Sequence, residues 1–288
     1  MIGDVGTDIL SCLGCEIHYD RENILRELDT FLELYSSRPV DKNDGGMKSP
    51  HLFNAWYAIK KLKPKLIIES GVWKGLGTWA IENAAPLSQI ISIDINYTNL
   101  VYKSNRVTYL DHDITRYDWK RFFKDRDVTP EEVLVVLDDH QDFSERVKFL
   151  HDLGIRDVLY DDNYPPSHGD CLSPKKIISG KGKYDTFVTV KVNEDGSEEL
   201  VGTTSFSYDD FMDRVDHYQE LPPIFKVEYT RWGDKWDDIN YPTSHPLLDN
   251  NLKEKYPTFY KEADSYTWLC YIKLANGKAS TNSKGDKN

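Results

Sequence analysis

Short apolar segments that end in an acidic residue recur through the first part of this 288-residue chain. They cover residues 65–69, 89–94, 106–113, 132–138 and 157–161, and helical patterns separate them, most clearly at residues 79–85 and 144–153. Buried strands that alternate with helices at this spacing predict βαβ units and a parallel sheet. Because the crossovers are right-handed, the carboxyl ends of the strands meet at one edge, where such sheets bind ligands. We therefore predict an α/β fold with a doubly wound, mainly parallel sheet and an acidic edge.

The flanking segments predict the rest of the organisation. Residues 21–35 and 50–62 carry apolar side chains at helical spacing. Beyond the fifth strand the pattern predicts a loop at 165–183, a helix at 208–218, strands at 224–229 and 266–274, and a lid or acceptor-binding insertion at 232–257. We expect an N-terminal helical segment (1–63) packed on the core, a main domain (64–274) with an insertion around 165–257, and a tail (275–288) without stable structure.

The charge balance bears on the class of partner. The chain has 48 acidic and 36 basic residues and a formal net charge of −12, whereas nucleic-acid binding depends on Lys and Arg to neutralise phosphates. A nucleic-acid partner is therefore not expected. No segment approaches the roughly 20 apolar residues that span a bilayer, and residues 1–20 lack the regions of a secretory signal. We expect a cytoplasmic protein without a membrane partner.

Cysteine usage agrees with a reducing compartment. Cys12, Cys15, Cys171 and Cys270 are too few for a disulfide framework. Cys12 and Cys15 have the spacing of a metal or redox pair, with His18 three residues later, but no second pair follows at zinc-site spacing. We interpret the two cysteines as small residues near the start of a helix.

A glycine-rich turn joins the first predicted strand to the following helix. It reads Glu69-Ser-Gly71-Val-Trp-Lys-Gly75-Leu-Gly77-Thr78. Glycine permits a tight turn and a close backbone approach to a ligand, and the N-terminus of the following helix offers free N–H groups. A dinucleotide turn has the order G-x-G-x-x-G, whereas here an acid comes first. A carboxylate at that position repels phosphate and suits a cation such as the ammonium group of S-adenosylmethionine.

The order acid-x-G-x-x-x-G resembles the cofactor loop of class I S-adenosylmethionine-dependent methyltransferases. Asp94 and Asp113 follow on the next two predicted strands, where the resemblance implies contacts with the ribose hydroxyls and near the adenine. The cofactor-binding residues that the resemblance implies are Glu69, Gly71, Trp73, Lys74, Gly75, Thr78, Asp94, Asp113 and Asp138. The alternative is a doubly wound sheet with turn glycines and incidental acids.

Two acidic clusters follow the fourth and fifth predicted strands. Asp138, Asp139 and Asp142 form the first, and residues 161–163, Asp-Asp-Asn, form the second. Neighbouring strand ends bring the clusters together, and so much like charge is costly unless a cation joins it. We expect a divalent ion with oxygen ligands, Mg²⁺ above all, and not zinc, because no Cys or His clusters with these acids. The alternatives are a solvated acidic loop and a calcium-like structural site.

A narrower resemblance covers roughly residues 65 to 164. The pattern L-D-x-x-x-D with a later D-N resembles the metal site of catechol-type O-methyltransferases, and G-V-W-K-G with the double Asp resembles macrocin-type sugar O-methyltransferases. The resemblance implies Asp138 as the first metal ligand and two more from Asp161, Asp162 and Asn163. One family prefers Asp161 with Asp162 and the other Asp162 with Asn163, so both pairs stay open.

The catalytic base is open as well. Catechol-type enzymes have a Lys where this chain has Gln141, so their mechanism does not transfer whole. His140 is the best local replacement, since an imidazole titrates near neutral pH. Asp138, Asp139 and His168 are the other candidates.

The resemblance implies an O-methyltransferase that aligns acceptor oxygen, methyl and sulfur and uses Mg²⁺ to orient vicinal hydroxyls. We favour a hydroxyl of a saccharide or glycosylated small molecule, for which the aromatic segments 229–241 and 256–266 offer flat faces unless they belong to the core. The partner is then a small-molecule or glycan acceptor, and a homo-oligomer is left open. The alternatives are a metal-independent methyltransferase, a hydroxylase with two His and one carboxylate on iron, an NAD-dependent dehydrogenase that lacks its motif, and a non-catalytic binding protein.

Overall fold

A seven-stranded sheet forms the centre of the computed structural model. The structure describes residues 16–166, 168–183, 186–192, 197–230, 233, 235–236 and 242–276. The predicted Cys12 and Cys15 pair, residues 277–288 of the predicted tail and residues 237–241 of the aromatic segment lie outside the described residues. The predicted domain boundaries at residues 63 and 274 stay predictions.

The helices and strands of the described residues follow the predicted alternation as far as the fifth strand. In chain order they are α1 (Arg21–Ser36), α2 (Ser49–Leu62), β1 (Leu66–Ser70), α3 (Leu76–Ala84), β2 (Gln89–Ile93), β3 (Val107–Leu110), α4 (Trp119–Asp125), β4 (Val133–Leu137), α5 (Phe143–Leu153), β5 (Asp157–Tyr160), α6 (Pro174–Ser179), β6 (Thr186–Val192), β7 (Glu198–Ser205), α7 (Tyr208–Met212), β8 (Val215–Glu220), α8 (Pro257–Lys261) and β9 (Cys270–Leu274). Within the described residues, no helix combines the length and apolar character needed to cross a membrane.

The sheet has the strand order β3-β2-β1-β4-β5-β9-β8. Strands β1 to β5 are parallel, and β9 runs antiparallel to both of its neighbours. This order confirms the predicted doubly wound, mainly parallel α/β fold. Ser70 at the end of β1 is in register with Ile93 and with Leu137. The residues that follow these three strands therefore leave the sheet side by side.

Side chains alternate between the two faces of the sheet, as buried strands require. Ile67 and Leu134 face a core that includes Phe31 of α1 and Phe53 of α2. The neighbouring strand positions face a second core, formed with α4 and α5. Each fully buried aliphatic side chain contributes about 1.5–3 kcal/mol. The N-terminal helices thus pack directly on the sheet that carries the acidic edge.

The sequence pattern is wrong in several places after β5. The helix predicted at 208–218 ends at Met212, and Val215–Glu220 is strand β8, because β9 far along the chain supplies its hydrogen-bond partners. No strand forms within 224–229, where Ile224 and Phe225 are buried without a strand partner. The predicted loop 165–183 contains helix α6, and the hairpin of β6 and β7 was not predicted.

Candidate functional site

The strand order reverses between β1 and β4, and open sheets bind ligands at such a point. The backbone N–H of Asp138 donates to the carbonyl of Ser70 there, at 2.8 Å. A cleft of about 360 Å³ opens at this edge, within the usual range for small-molecule sites. It is lined by Gly45, Ser70, Gly71, Trp73, Ile93, Asp94, Ile95, His112, Asp113, Asp138, Asp139, His140, Gln141 and Arg146.

The glycine turn lies against the end of β4. Gly71 has a φ of 95°, and a Cβ there would overlap the carbonyl oxygen of Asp138. A Cβ on Gly75, which has a φ of 85°, would likewise overlap the carbonyl oxygen of Tyr102. Both positions therefore need glycine for conformation and for space. The predicted cofactor turn and the first acidic cluster are walls of the same cleft.

Asp94 holds the glycine turn in place. Its Oδ2 accepts hydrogen bonds from the backbone N–H groups of Val72 and Trp73, at 2.9 and 3.0 Å, and its Oδ1 accepts one from Asn96 at 2.9 Å. Asp94 lines the cleft, and Oδ1 keeps the capacity for a second hydrogen bond, because a carboxylate oxygen can accept two. Asp94, for which contacts with the ribose hydroxyls were predicted, therefore lies at the cleft and also holds the glycine turn in its conformation.

Glu69 is buried beneath the turn. Its Oε2 accepts hydrogen bonds from the hydroxyls of Thr78 and Ser92, at 2.6 and 2.5 Å, while its buried Oε1 has no hydrogen-bond partner among the described residues. Burial raises the pKa of Glu69 from 4.5 to about 7, although the two hydrogen bonds oppose this rise. An orphaned buried acceptor is rare unless a ligand, ion or water completes it. It fits the predicted ammonium group.

Arg146 of α5 binds the residues that follow β3 and β4 and, through Asp139, is linked to the end of β1. It was not among the predicted site residues. Its guanidinium donates to both carboxylate oxygens of Asp113, at 2.7 and 3.2 Å, and to Oδ2 of Asp139, at 2.9 and 3.0 Å. The same oxygen of Asp139 accepts from the hydroxyl of Ser70, at 2.7 Å. The carboxylates of Asp113 and Asp139 therefore use most of their hydrogen-bond acceptor positions for contacts within the protein. For this reason Asp139 is poorly placed to act as a base.

The helical pattern of α5 contained a signal for Arg146. Phe143, Val147 and Leu150 form its buried face, and Arg146 occupies a position on that face. A charged side chain on an apolar face requires a partner. The identity of the partners could not be read from the helix, since Asp113 lies 33 residues away.

Two carboxylates and an imidazole converge at the ends of β4 and β5. Ligand atoms of Asp138, His140 and Asp162 lie within 4.8 Å of one another. Asp138 is half-buried, and its carboxylate accepts no hydrogen bond from a described residue. Burial and the charges of Asp161 and Asp162 raise the pKa of Asp138. Burial and the charge of Asp161 likewise raise the pKa of Asp162 to about 7.

His140 lies at the solvent side of this group. Its Nδ1 is 3.2 Å from Oδ1 of Asp170 and 3.3 Å from Oδ2 of Asp162. The hydrogen bond with Asp170 raises the pKa of His140 to about 9, against the opposing effect of burial. His140 and Asp162 both have left-handed φ values, 54° and 49°. Residues other than glycine rarely adopt this conformation, and strained residues cluster at functional sites.

The other predicted metal ligands point elsewhere. Oδ1 of Asp161 accepts a hydrogen bond from the hydroxyl of Thr267, at 2.6 Å. The amide of Asn163 donates to the hydroxyl of Tyr218 and to the carbonyl of Trp268, and it accepts from the backbone of Lys175. Asn163 is thus committed to the scaffold, and Asp161 keeps one oxygen. His140, predicted as the best candidate for the base, is the third member of the group with Asp138 and Asp162.

The donor set fits a divalent cation. Carboxylate oxygens suit Mg²⁺, and one imidazole also admits Mn²⁺ and related ions. The iron set considered in the sequence analysis needs two His and one carboxylate, whereas this group has one His and two carboxylates. His168 is not part of it. A cation would relieve the repulsion that raises the pKa values of Asp138 and Asp162.

Most aromatic residues of segments 229–241 and 256–266 that the structure describes belong to the core. Tyr256, Tyr266 and Trp236 are almost completely buried, and only Tyr229 and Tyr260 are exposed among the large aromatics of these segments that the structure describes. Within this described part, flat faces for sugar rings are therefore few. The structure fixes these rings by long-range packing, which residue counts do not reveal.

No protein-family model and no curated protein matches this chain. Solved structures to which it is similar include the apo structure of CmcI, with 16% identity over 50% of this chain and 77% of that chain and a TM-score of 0.32. Another is the SAH-bound methyltransferase PaMTH1 of Podospora anserina, with 14% identity over 65% and 98% and a TM-score of 0.37. The O-methyltransferase TomG of Streptomyces achromogenes has 14% identity over 64% and 88% and a TM-score of 0.33. Similarities this weak carry no weight for function, which has to be inferred from the chain's own residues.

Proposed function

We propose that this protein is an S-adenosylmethionine-dependent O-methyltransferase that uses a divalent cation. One observation carries the proposal: the glycine turn, Asp138 and His140 line one cleft at the point where the strand order reverses. Gly71 approaches the backbone of Asp138 so closely that no side chain fits between them. A cofactor held by the turn and an acceptor held at the acids would therefore meet.

The residues of the turn supply recognition of the cofactor. Glu69 offers an orphaned buried oxygen, which suits an ammonium group. Asp94 orients the turn and keeps one lone pair for a hydroxyl. When bound, the sulfonium supplies the methyl group, and the cation lowers the pKa of the acceptor hydroxyl. The protein's contribution is to hold both reactants in line, which removes much of the entropic barrier.

Asp138 and Asp162 would hold the cation, with His140 beside them. Of the candidate bases, Asp138 has a carboxylate that accepts no hydrogen bond from a described residue. Asp139 is bound by Ser70 and Arg146. The hydrogen bond to Asp170 raises the pKa of His140 to about 9, which disfavours the neutral imidazole that a general base needs, so the assignment of a general base to His140 stays a prediction.

The acceptor class is the finer part of the proposal. Vicinal hydroxyls suit a cation held by two carboxylates, because both oxygens can bind the same ion. Saccharides and glycosylated small molecules present such pairs without adding negative charge to an already acidic cleft. The donor chemistry supports this class, whereas the largely buried aromatic rings do not contribute to it.

Calorimetric titration with S-adenosylhomocysteine, with Mg²⁺ and then with excess chelator, tests the proposal. Asp138→Asn is the sharpest variant, because asparagine keeps the shape of the side chain and removes its charge. The Asp138 carboxylate accepts no hydrogen bond from a described residue, so none is lost. We expect Asp138→Asn to bind S-adenosylhomocysteine and to lose its response to Mg²⁺. Methyl transfer to neutral diols should be lost with it.

Asp152→Asn is the matched control, since Asp152 is an exposed acid on α5 outside the cleft. It should behave as the unmodified protein. Absence of S-adenosylhomocysteine binding under every condition would overturn the methyltransferase assignment. Full activity in chelator, or in Asp138→Asn, would overturn the role of the cation alone and leave a metal-independent methyltransferase.

A further inference from the structure

Residues 37–48 connect α1 to α2 and reach the candidate site. Val40 and Met47 anchor this connection in the core, where each is at most 5% exposed. Between them, residues 41–45 rise over the glycine turn, and Gly45 lines the cleft. Residues 41–45, which the sequence assigns to the N-terminal helical segment, thus form a wall beside the site on the main sheet, and Gly45 is the one of them that lines the cleft.

Two side chains of the glycine turn hold this wall. The indole Nε1 of Trp73 donates to the carbonyl of Asp44, at 3.0 Å, and Nζ of Lys74 donates to the carbonyl of Lys42, at 2.8 Å. Gly45 lies directly against the indole, since a Cβ on Gly45 would be 3.8 Å from the ring. Cofactor contacts of Trp73 and Lys74 stay predictions, and in the structure the side chains of both residues bind the wall.

The backbone of Trp73 is strained. Its φ is 49°, and its side chain is 40% exposed. A bulky residue in the left-handed region is a genuine outlier, and such strain persists only where the surroundings impose it. Asp94 imposes it here, because Oδ2 accepts the N–H groups of Val72 and Trp73 together. The carboxylate of Asp94 therefore orients the indole of Trp73 toward the wall and also lines the cleft.

Asn43 gives the wall a feature of its own. The side chain is 5% exposed, and its Nδ2 donates to the carbonyl of Met47, at 2.9 Å. Its Oδ1 is buried and has no hydrogen-bond partner among the described residues. A buried carbonyl without a donor is costly. It shares this property with Oε1 of Glu69, another buried acceptor that has no hydrogen-bond partner among the described residues.

We infer that residues 41–45 form a wall of the cofactor site and that Trp73 and Lys74 act as positioning residues by clasping it to the glycine turn. This inference rests on the proposed function, because it takes S-adenosylmethionine as the ligand. Loss of either hydrogen bond loosens the wall in the free protein. Binding then has to order the wall again, and the affinity falls.

Trp73→Phe and Lys74→Met test the clasp, because each removes one donor and keeps most of the side chain. We expect each variant to bind S-adenosylhomocysteine about fivefold more weakly in calorimetry, the effect of one hydrogen bond. The second readout is limited proteolysis with trypsin. Cleavage after Lys42 should be at least about threefold faster in both variants, since it requires local opening, and S-adenosylhomocysteine should slow it in the unmodified protein. Cleavage after the exposed Lys181 should not change and serves as the internal reference.

Tyr260→Phe is the matched control, because it removes one polar group from an exposed aromatic residue on α8. It should leave affinity and cleavage unchanged. Suppose that Trp73→Phe and Lys74→Met both bind S-adenosylhomocysteine as tightly as the unmodified protein does and are cleaved after Lys42 at the same rate. That result would contradict the positioning role of Trp73 and Lys74. If the unmodified protein does not bind S-adenosylhomocysteine at all, the proposed function itself fails, which is a different result.

Discussion

Arg146 and Asp113 form a two-pronged ion pair at the acidic edge of the sheet. The guanidinium is 4% exposed and donates to both oxygens of Asp113, at 2.7 and 3.2 Å. Burial acts to raise the pKa of Asp113, but hydrogen bonds from Arg146 and Thr115 outweigh it and lower this pKa to about 2. Because Arg146 also binds Asp139, one cation fixes two of the acids that line the cleft.

We expect Arg146→Met to destabilise the protein by about 3 kcal/mol at neutral pH, since it removes the ion-pair partner of the largely buried Asp139 and of the partly exposed Asp113. Urea unfolding measures this. Because the pKa of Asp113 is lower in the folded protein than its unfolded value of 3.8, the ion pair stabilises the folded protein fully above pH 3.8. This stabilisation is lost as the pH falls toward 2. The difference between the two proteins should therefore narrow in acid. Arg121→Met, at an exposed ion pair on α4, should leave the urea midpoint unchanged, and an equal loss there would contradict the special role of Arg146.

Gly71→Ala should be the most damaging small substitution in the glycine turn. The methyl group would overlap the carbonyl of Asp138, and the φ of 95° is unfavourable for alanine. We expect a loss of about 3 kcal/mol or more in urea unfolding. Gly182→Ala is the control, because Gly182 has a φ of 66° but no atom within 4 Å of its would-be Cβ. Gly182→Ala should lower the free energy of unfolding by only about 1 kcal/mol. Equal losses in Gly71→Ala and Gly182→Ala would show that overlap with the carbonyl of Asp138 does not contribute.

Glu69 should make the protein less stable as the pH rises. Burial raises its pKa from 4.5 to about 7 in the folded state, so the folded protein binds more protons than the unfolded chain within this window. The free energy of unfolding then falls between pH 4.5 and 7, by up to about 3 kcal/mol from this residue. Glu69→Gln should flatten the decline in chelator-treated protein, whereas Glu33→Gln, on the exposed face of α1, should not. A decline of unchanged size in Glu69→Gln would show that Glu69 is ionised throughout.

Asp162→Asn should have opposite effects on stability and on cation binding. At pH 8 without metal we expect it to stabilise the protein by about 2 kcal/mol, because it removes a buried charge beside Asp161 and because asparagine tolerates the left-handed φ. Mg²⁺ at 100 times its dissociation constant should raise the melting temperature of the unmodified protein by about 5 °C and leave that of Asp162→Asn unchanged. Calorimetry and thermal unfolding check both. Equal stabilisation of the two proteins by Mg²⁺ would remove Asp162 from the cation site.

The sequence was sufficient for the five parallel strands of the sheet and for the edge at which the candidate site lies. Apolar runs of strand length, glycines at Gly71 and Gly75, and acids at Asp94 and Asp138 are local features. Their consequences follow from geometry that all parallel sheets share, since strand ends meet at one edge. The region after β5 was harder, because β8 forms only where β9, 50 and more residues later, supplies its hydrogen bonds.

The sequence by itself thus determined the doubly wound sheet, the glycine turn and the edge at which the acids gather. Only the tertiary structure decided which of those acids remain available. Arg146 occupies Asp113 and Asp139, the scaffold around Trp268 occupies Asn163, and His140 joins Asp138 and Asp162 instead. The physical reason is that a carboxylate binds the donor that packing brings to it, and these donors come from distant segments that no local pattern specifies.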